Sequence, residues 1–117
     1  MPSDFAAKSN ELDDRAKELF KLIPEQARTM AQSRIAVYKD GALDARTKEL
    51  IALAIGIAMR CEGCVTHHSK LAAKKGLSRE EVAEMIGVAM QMCGGPGMAY
   101  GAEALAAFDE FSAAKSS

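Results

Sequence analysis

The hydrophobic pattern of this chain has the period of an α-helix along nearly its whole length. Apolar residues recur three or four positions apart, and no segment shows the alternation expected of a half-buried strand. The pattern predicts a first helix over about residues 4–22, a second from Pro24 to about Tyr38 and a third over about residues 45–59. The third helix begins polar and becomes apolar on every face, so we expect it to be the buried central helix.

Three further helices are predicted in the second half of the chain. The segment "CVTHHSKLAAKK" would form the fourth, because lysines occupy its last turn and Gly76 follows it. Ser78 and Glu81 form a capping box that opens a fifth helix, which "CGGPG" ends. A sixth helix is predicted over about residues 96–114. The fold class is therefore all-α, with about six helices in a single domain over residues 1–117.

Composition narrows the classes of function. The chain is 49% hydrophobic and only 5% aromatic, so its core would be filled by aliphatic residues and the seven Met. Fifteen Lys and Arg nearly balance 16 Asp and Glu, which gives no sign of the basic patch that nucleic acid requires. The longest apolar run, Leu50 to Met59, is ten residues, whereas a membrane helix needs about 20. Because the N-terminus also lacks a secretory signal, we expect a cytoplasmic protein without membrane or nucleic-acid partners.

The segment "CEGCVTHH", residues 61–68, concentrates two thiols and two imidazoles. A c-type haem attachment needs His directly after the second Cys, where this chain has Val65. A thioredoxin-type pair would follow a strand, and none is predicted. Structural zinc sites usually join two such knuckles, and only one is present, although Cys61, Cys64 and the histidines could supply ligands. A zinc-binding structural module therefore stays open beside thiol redox chemistry.

Thiol redox chemistry fits the position of the Cys pair, where one helix ends and the next begins. Free N–H groups at a helix N-terminus favour a thiolate over a thiol. The spacing of three residues lets the two sulfur atoms form a disulfide if the side chains point together. His68 follows Cys64 by four residues, on the same helix face, and can accept its proton.

Glu49 is the candidate group to orient His68, by analogy with other base-and-orienter pairs. It stands where the third helix becomes apolar, and it can meet the Cys pair only if the chain reverses near Arg60. The alternative is a solvated Glu49 that pairs with Arg46 or Lys48.

Two other residues receive a non-catalytic interpretation. His67 diverges from His68 by about 100° around the helix, which indicates a solvated or core imidazole. Cys93 continues the apolar stripe of the fifth helix, which predicts a buried, inert thiol, and the Met residues are interpreted as core filler.

Glu49, Cys61, Cys64 and His68, with separations of twelve residues from Glu49 to Cys61 and four from Cys64 to His68, resemble the signature of the AhpD-like branch of the carboxymuconolactone decarboxylase family. Residues 46–100, including a Gly-Gly-Pro turn, resemble the core segment of that family. The resemblance implies an AhpD-like helical bundle that needs no metal or flavin cofactor. It also implies a homo-oligomer, most often a hexamer built as a trimer of dimers. The implied function is a thiol-dependent peroxidase or disulfide reductase, with a hydroperoxide or small disulfide as substrate and a thiol reductant as partner.

The resemblance further implies a role for each residue. Cys64 would attack the peroxide, Cys61 would resolve the sulfenic acid, His68 would be the base and Glu49 its partner. Helix geometry alone favours Cys61 as the more readily ionised thiol, but His68 lies one turn from Cys64 and nearly two from Cys61. Gly63 stands where the best-known members carry a further His. Another branch of the family decarboxylates a lactone without the Cys pair, so a lyase using Glu49 and His68 is the alternative.

Overall fold

The computed structural model describes residues 4–116, and in this range the chain forms six helices and no strand. The helices are α1 (Phe5–Leu22), α2 (Pro24–Val37), α3 (Ala45–Ala58), α4 (Glu62–Lys74), α5 (Arg79–Cys93) and α6 (Gly95–Ser116). The predicted all-α class with six helices is confirmed, and the predicted boundaries agree to within one turn. None of the described helices is both long enough and apolar enough to cross a membrane.

Local sequence chemistry explains where the helices begin and end. The Asp44 side chain accepts a hydrogen bond from the Thr47 N–H at 2.7 Å and caps α3. Both hydrogen bonds of the predicted capping box between Ser78 and Glu81 are present at the start of α5. Gly94 ends α5 with a φ of 68°, a left-handed conformation that glycine adopts without steric cost.

The core lies between α3, α4, α5 and α6, and α1 packs across α4 and α6. Small residues such as Ala72 and Ala104 let these helices approach closely, while larger aliphatic and aromatic side chains fill the centre. The largest apolar contributors are Leu53, Ile57, Val65, Val82, Ile86 and Phe108. The α1 N-terminus is held by Glu110, whose carboxylate accepts hydrogen bonds from the Phe5 and Ala6 N–H groups at 3.3 and 2.8 Å. Among the described helices, α2 makes its close backbone approach to α1, and its last residue, Val37, also accepts a hydrogen bond from Lys48 of α3 at 2.9 Å.

The structure corrects three predictions about burial. The third helix is not buried on every face, because Ile51 and Ile55 are exposed on the side of α3 away from the core. Cys93 is half-buried rather than buried. The Met residues are mostly not core filler, since Met85 packs against the core and the five exposed ones are Met30, Met59, Met90, Met92 and Met98, with Met1 outside the described residues. A helix of a single chain has only one face on the core, so a helix that is apolar all round leaves the rest of that surface uncovered.

Candidate functional site

The connection between α3 and α4 is a tight reversal that places the Cys pair against α3. Arg60 adopts a left-handed conformation with φ of 55°, and the Cys61 N–H donates to the Gly56 carbonyl at 3.0 Å. A side chain at position 56 would begin 3.1 Å from the Cβ of Cys64, so glycine is what lets the first turn of α4 lie on α3. The predicted reversal near Arg60 is therefore confirmed.

Cys61 and Cys64 are joined by a disulfide at the N-terminus of α4. Their Cα atoms are 5.2 Å apart, within the range that a disulfide requires. Cys61 is the N-cap residue, and its sulfur accepts a hydrogen bond from the Cys64 N–H at 3.2 Å. Both residues are half-buried. The sulfurs therefore meet, as the spacing permits, at a helix end whose N–H groups favour negative charge.

Glu49 and His68 form a hydrogen-bonded pair across α3 and α4. The distance from His68 Nδ1 to Glu49 Oε2 is 2.5 Å, and the Glu49 side chain is 0% exposed. The alternative of a solvated Glu49 is wrong, because Arg46 pairs with Glu81 and Lys48 donates to backbone carbonyls instead. The structure therefore brings Glu49 and His68 together on the helical hairpin that α3 and α4 form, which also carries the disulfide.

Lys75 and Tyr38, which the sequence analysis missed, complete a cluster around Glu49 and His68. Lys75 donates from Nζ to Glu49 Oε1 at 2.8 Å, so each carboxylate oxygen has its own partner. The same Nζ lies 4.9 Å from the ring centroid of Tyr38, a cation–π contact, and the Tyr38 and His68 ring centroids are 6.3 Å apart. Lys75 follows His68 by seven residues, which places both on one helix face, so its position could have been inferred from the sequence.

The cluster holds Glu49 in its charged form. Burial by itself raises the pKa of Glu49, but hydrogen bonds and charge attraction from His68 and Lys75 outweigh it and leave the pKa below its usual value. Burial, and then the negative charge of Glu49, raise the pKa of Tyr38, so its phenol is neutral at pH 7. With Glu49 ionised, His68 donates from Nδ1 and its Nε2 is the atom that can accept a proton.

His67 lies beside this cluster and lines a cleft between α2 and α4. It is half-buried, and its ring contacts the His68 ring edge-on with centroids 5.0 Å apart. Burial, and then the charges of His68 and Arg34, lower the pKa of His67, which favours its neutral imidazole at pH 7. The cleft has a volume of about 280 Å³ and is lined by Met30, Ser33, Arg34, Val37, Tyr38, His67 and His68. Its walls are therefore partly apolar, with Arg34 as their cationic group.

The described residues contain no group of three or more His, Cys, Asp or Glu side chains arranged to hold a metal ion. In this disulfide state, Cys61 and Cys64 have no thiolate to offer as a ligand.

Comparison with known proteins identifies the family of the chain. The model of the carboxymuconolactone decarboxylase family matches residues 24–107. An uncharacterized protein of Cupriavidus necator is 33% identical over 113 residues, which is 97% of this chain and 100% of that protein. A carboxymuconolactone decarboxylase family protein from Legionella pneumophila, known from its apo crystal structure, is 42% identical in sequence. Its structure matches with a TM-score of 0.89 over 92% of this chain and 96% of that one. A Thermotoga maritima member is 25% identical, with a TM-score of 0.79 over 93% of both chains. This chain belongs to the carboxymuconolactone decarboxylase family, as the resemblance of its motif indicated.

Proposed function

We propose that this protein is a thiol-dependent oxidoreductase that reduces a hydroperoxide or a small disulfide by cycling Cys61 and Cys64 between dithiol and disulfide. The observation that carries the proposal is the disulfide at the N-terminus of α4, on the same hairpin as the hydrogen-bonded pair of buried Glu49 and half-buried His68. The Thermotoga maritima relative, for which an antioxidative role has been suggested, supports the same chemistry. Perturbed ionisable groups beside a nucleophile are typical of a catalytic site.

The first half of the proposed cycle takes place at Cys64. His68 accepts the thiol proton, and the thiolate attacks the terminal oxygen of the hydroperoxide. A sulfur–oxygen bond forms, the oxygen–oxygen bond breaks, and the alkoxide leaves as an alcohol with the proton that His68 held. Cys64 is left as a sulfenic acid, the first oxidised state of a thiol.

The second half of the cycle uses Cys61. Its thiolate attacks the sulfur of the Cys64 sulfenic acid, so that the disulfide forms and the hydroxyl group leaves as water with the proton of Cys61. Two electrons have then passed from the thiols to the peroxide. An external thiol reductant regenerates the pair by exchange at Cys61, through a mixed disulfide.

The first test is the intact mass of metal-free, reduced protein before and after one equivalent of hydroperoxide. We expect a loss of two hydrogen atoms and, in peptide maps, a cross-link between Cys61 and Cys64. The variant Cys93→Ser should behave like the wild type, because Cys93 is the last residue of α5, outside the α3–α4 hairpin, and takes no part in the disulfide. A main product that contains Cys93, or no change in mass, would contradict the proposal.

The roles of the two cysteines are tested with single variants. Cys61→Ser should accumulate a sulfenic acid at Cys64 that a dimedone probe traps, because the resolving thiol is gone. His68→Gln and Glu49→Gln should slow this oxidation by about 10²-fold at neutral pH, and less at high pH, where the thiol ionises without a base. Oxidation of Cys61 at the wild-type rate in Cys64→Ser would reverse the assignment.

A lyase acting on a small organic acid is the second candidate. It is favoured by Arg34, which lines the cleft beside His68 and could bind a carboxylate. In that case the reduced protein would consume a lactone acid with release of carbon dioxide, Cys64→Ser would keep this activity, and Glu49→Gln would lose it.

A further inference from the structure

The partners of Glu49 are unequal in charge. An imidazole is the side chain that can change its charge near neutral pH, whereas an ammonium group is ordinarily a fixed positive charge. Lys75 is the lysine or arginine that pairs with Glu49 in the described part of the chain, and the two are 2.8 Å apart. Glu49 is fully buried and Lys75 is half-buried, so water screens their interaction less than it would at the surface.

Counting charges shows what Lys75 does for this cluster. When His68 is neutral, Glu49 and Lys75 cancel, and the cluster has no net charge. Without Lys75 the same state would bury one uncompensated negative charge, and a proton on His68 would remove it. Because an unpaired buried charge is costly, the loss of Lys75 would favour the protonated imidazole.

We propose that Lys75 is a positioning residue that sets the pH at which the Glu49–His68 pair releases its proton, and with it the pH range in which Cys64 can be deprotonated. The inference rests on the proposed function for its consequence at Cys64, but the effect on His68 stands independently of any activity.

The groups around His68 come from three elements: Glu49 on α3, Arg34 on α2 with Tyr38 just after it, and Cys64 and His67 on α4 with Lys75 just after it. Removing the positive charge of Lys75 makes each neighbouring group hold its proton to higher pH. This applies to the Cys64 thiol as well as to the imidazole. The lower limb of the pH–rate profile should therefore move to higher pH, whichever of the two groups loses its proton first.

The direct test is an NMR titration of the imidazole protons, which the chain makes simple because it contains only two histidines. His67→Gln identifies the His68 signals. In Lys75→Met we expect the titration midpoint of His68 to rise by about 0.5–1 pH unit. Lys75→Arg, which keeps the charge, should titrate like the wild type, and so should Lys74→Met, which removes the neighbouring exposed lysine of the same helix end. Should Lys75→Met fail to fold, Lys75→Gln carries the same test.

The second readout is the rate of Cys64 oxidation by hydroperoxide as a function of pH, in a Cys61→Ser background. Lys75→Met should lower the rate about three- to tenfold at pH 7 and restore it about one pH unit higher, with the plateau unchanged. A purely structural role would lower the plateau and leave the limb in place.

The outcomes separate the two proposals. An unchanged His68 midpoint in folded Lys75→Met overturns the role of Lys75, and so does a Lys75→Arg protein that titrates like Lys75→Met. A raised His68 midpoint in a protein that reacts with neither peroxide nor disulfide supports the role of Lys75 and contradicts the proposed function.

Discussion

The α3–α4 hairpin and helix α2 differ in how completely the rest of the same chain covers their side chains. The hairpin buries Glu49 together with partners for both of its oxygens, and it seats the Cys pair against Gly56. Helix α2 buries no residue, and Met30, Ile35 and Val37 are all exposed on it. The two regions meet where Tyr38, just after α2, contacts Lys75 and His68, and where Lys48 of α3 donates to the Val37 carbonyl at the end of α2.

This contrast separates what a single chain determines from what assembly would add. The ion pairs that Glu49 makes with His68 and Lys75 both lie within one chain, so the chemistry of the hairpin can be tested on a monomer. The apolar cleft between α2 and α3, lined by residues that include Val37, Ile51 and Ile55, has a volume of about 540 Å³. Exposed apolar surface of this kind is typical of protein interfaces, and it favours the prediction of a homo-oligomer.

The largest expected effect comes from breaking the close packing of the hairpin. Gly56→Ala would place a methyl group 3.1 Å from the Cβ of Cys64, which cannot move freely because its helix and its disulfide hold it. Overpacking of this kind costs about 1–3 kcal/mol. Gly87→Ala is the matched control, since nothing lies within 4 Å of a Cβ at that helical position. It should stabilise by up to about 1 kcal/mol.

Chemical denaturation at one fixed protein concentration measures both variants. We expect opposite signs, with a separation of about 2 kcal/mol in the free energy of unfolding. Two variants that stabilise equally would mean that α4 does not need its close approach to α3.

The sequence predicted most of the hairpin, because local rules govern it. Helix periodicity, caps and the spacing from Glu49 to His68 are all visible in a single chain, and the structure agrees with them. Lys75 was missed for a physical reason: a lysine at the C-terminal end of a helix is already explained by its attraction to the helix dipole, so its type and position alone do not indicate a buried carboxylate partner. Tyr38 was missed because its contacts cross from one helix to another, where spacing along the chain carries no information.

The burial of apolar side chains was the part that could not be predicted. Met92 and Ile55 have the residue types and helical positions of core residues, yet both are exposed in one chain. Hydrophobic periodicity shows that a face avoids water, but not whether another helix of the same chain or a second copy covers it.

The next effect concerns this outer surface. We expect the wild type to be a homo-oligomer, namely a hexamer built as a trimer of dimers. Light scattering at low micromolar concentration should then show no dominant 12.5 kDa species. Ile55→Asp should weaken assembly at least tenfold, which is about 1.4 kcal/mol, because it places a charge in the apolar cleft of α2 and α3. The stability of the monomer should change by no more than about 0.5 kcal/mol, since Ile55 is already 52% exposed.

Met92→Ser, on the exposed side of α5, is the comparison for this experiment. A wild-type monomer would refute assembly altogether. Dissociation by Met92→Ser but not by Ile55→Asp would place the interface on α5 and leave the cleft between α2 and α3 unexplained.

The smallest expected effect lies at Tyr38, the contact that joins the two regions. Its ring lies under the Lys75 ammonium, and burial with the charge of Glu49 raises the pKa of its phenol, so the hydroxyl contributes no charge at neutral pH. Tyr38→Phe should therefore leave both stability and the His68 titration nearly unchanged, because phenylalanine also offers a ring face to the cation. Tyr38→Ala removes that face and should lower the free energy of unfolding by about 0.5–1 kcal/mol. Denaturation of the two variants side by side measures the difference. If Tyr38→Ala is as stable as Tyr38→Phe, then the Tyr38 ring contributes nothing to the cluster of Glu49, His68 and Lys75 through this contact.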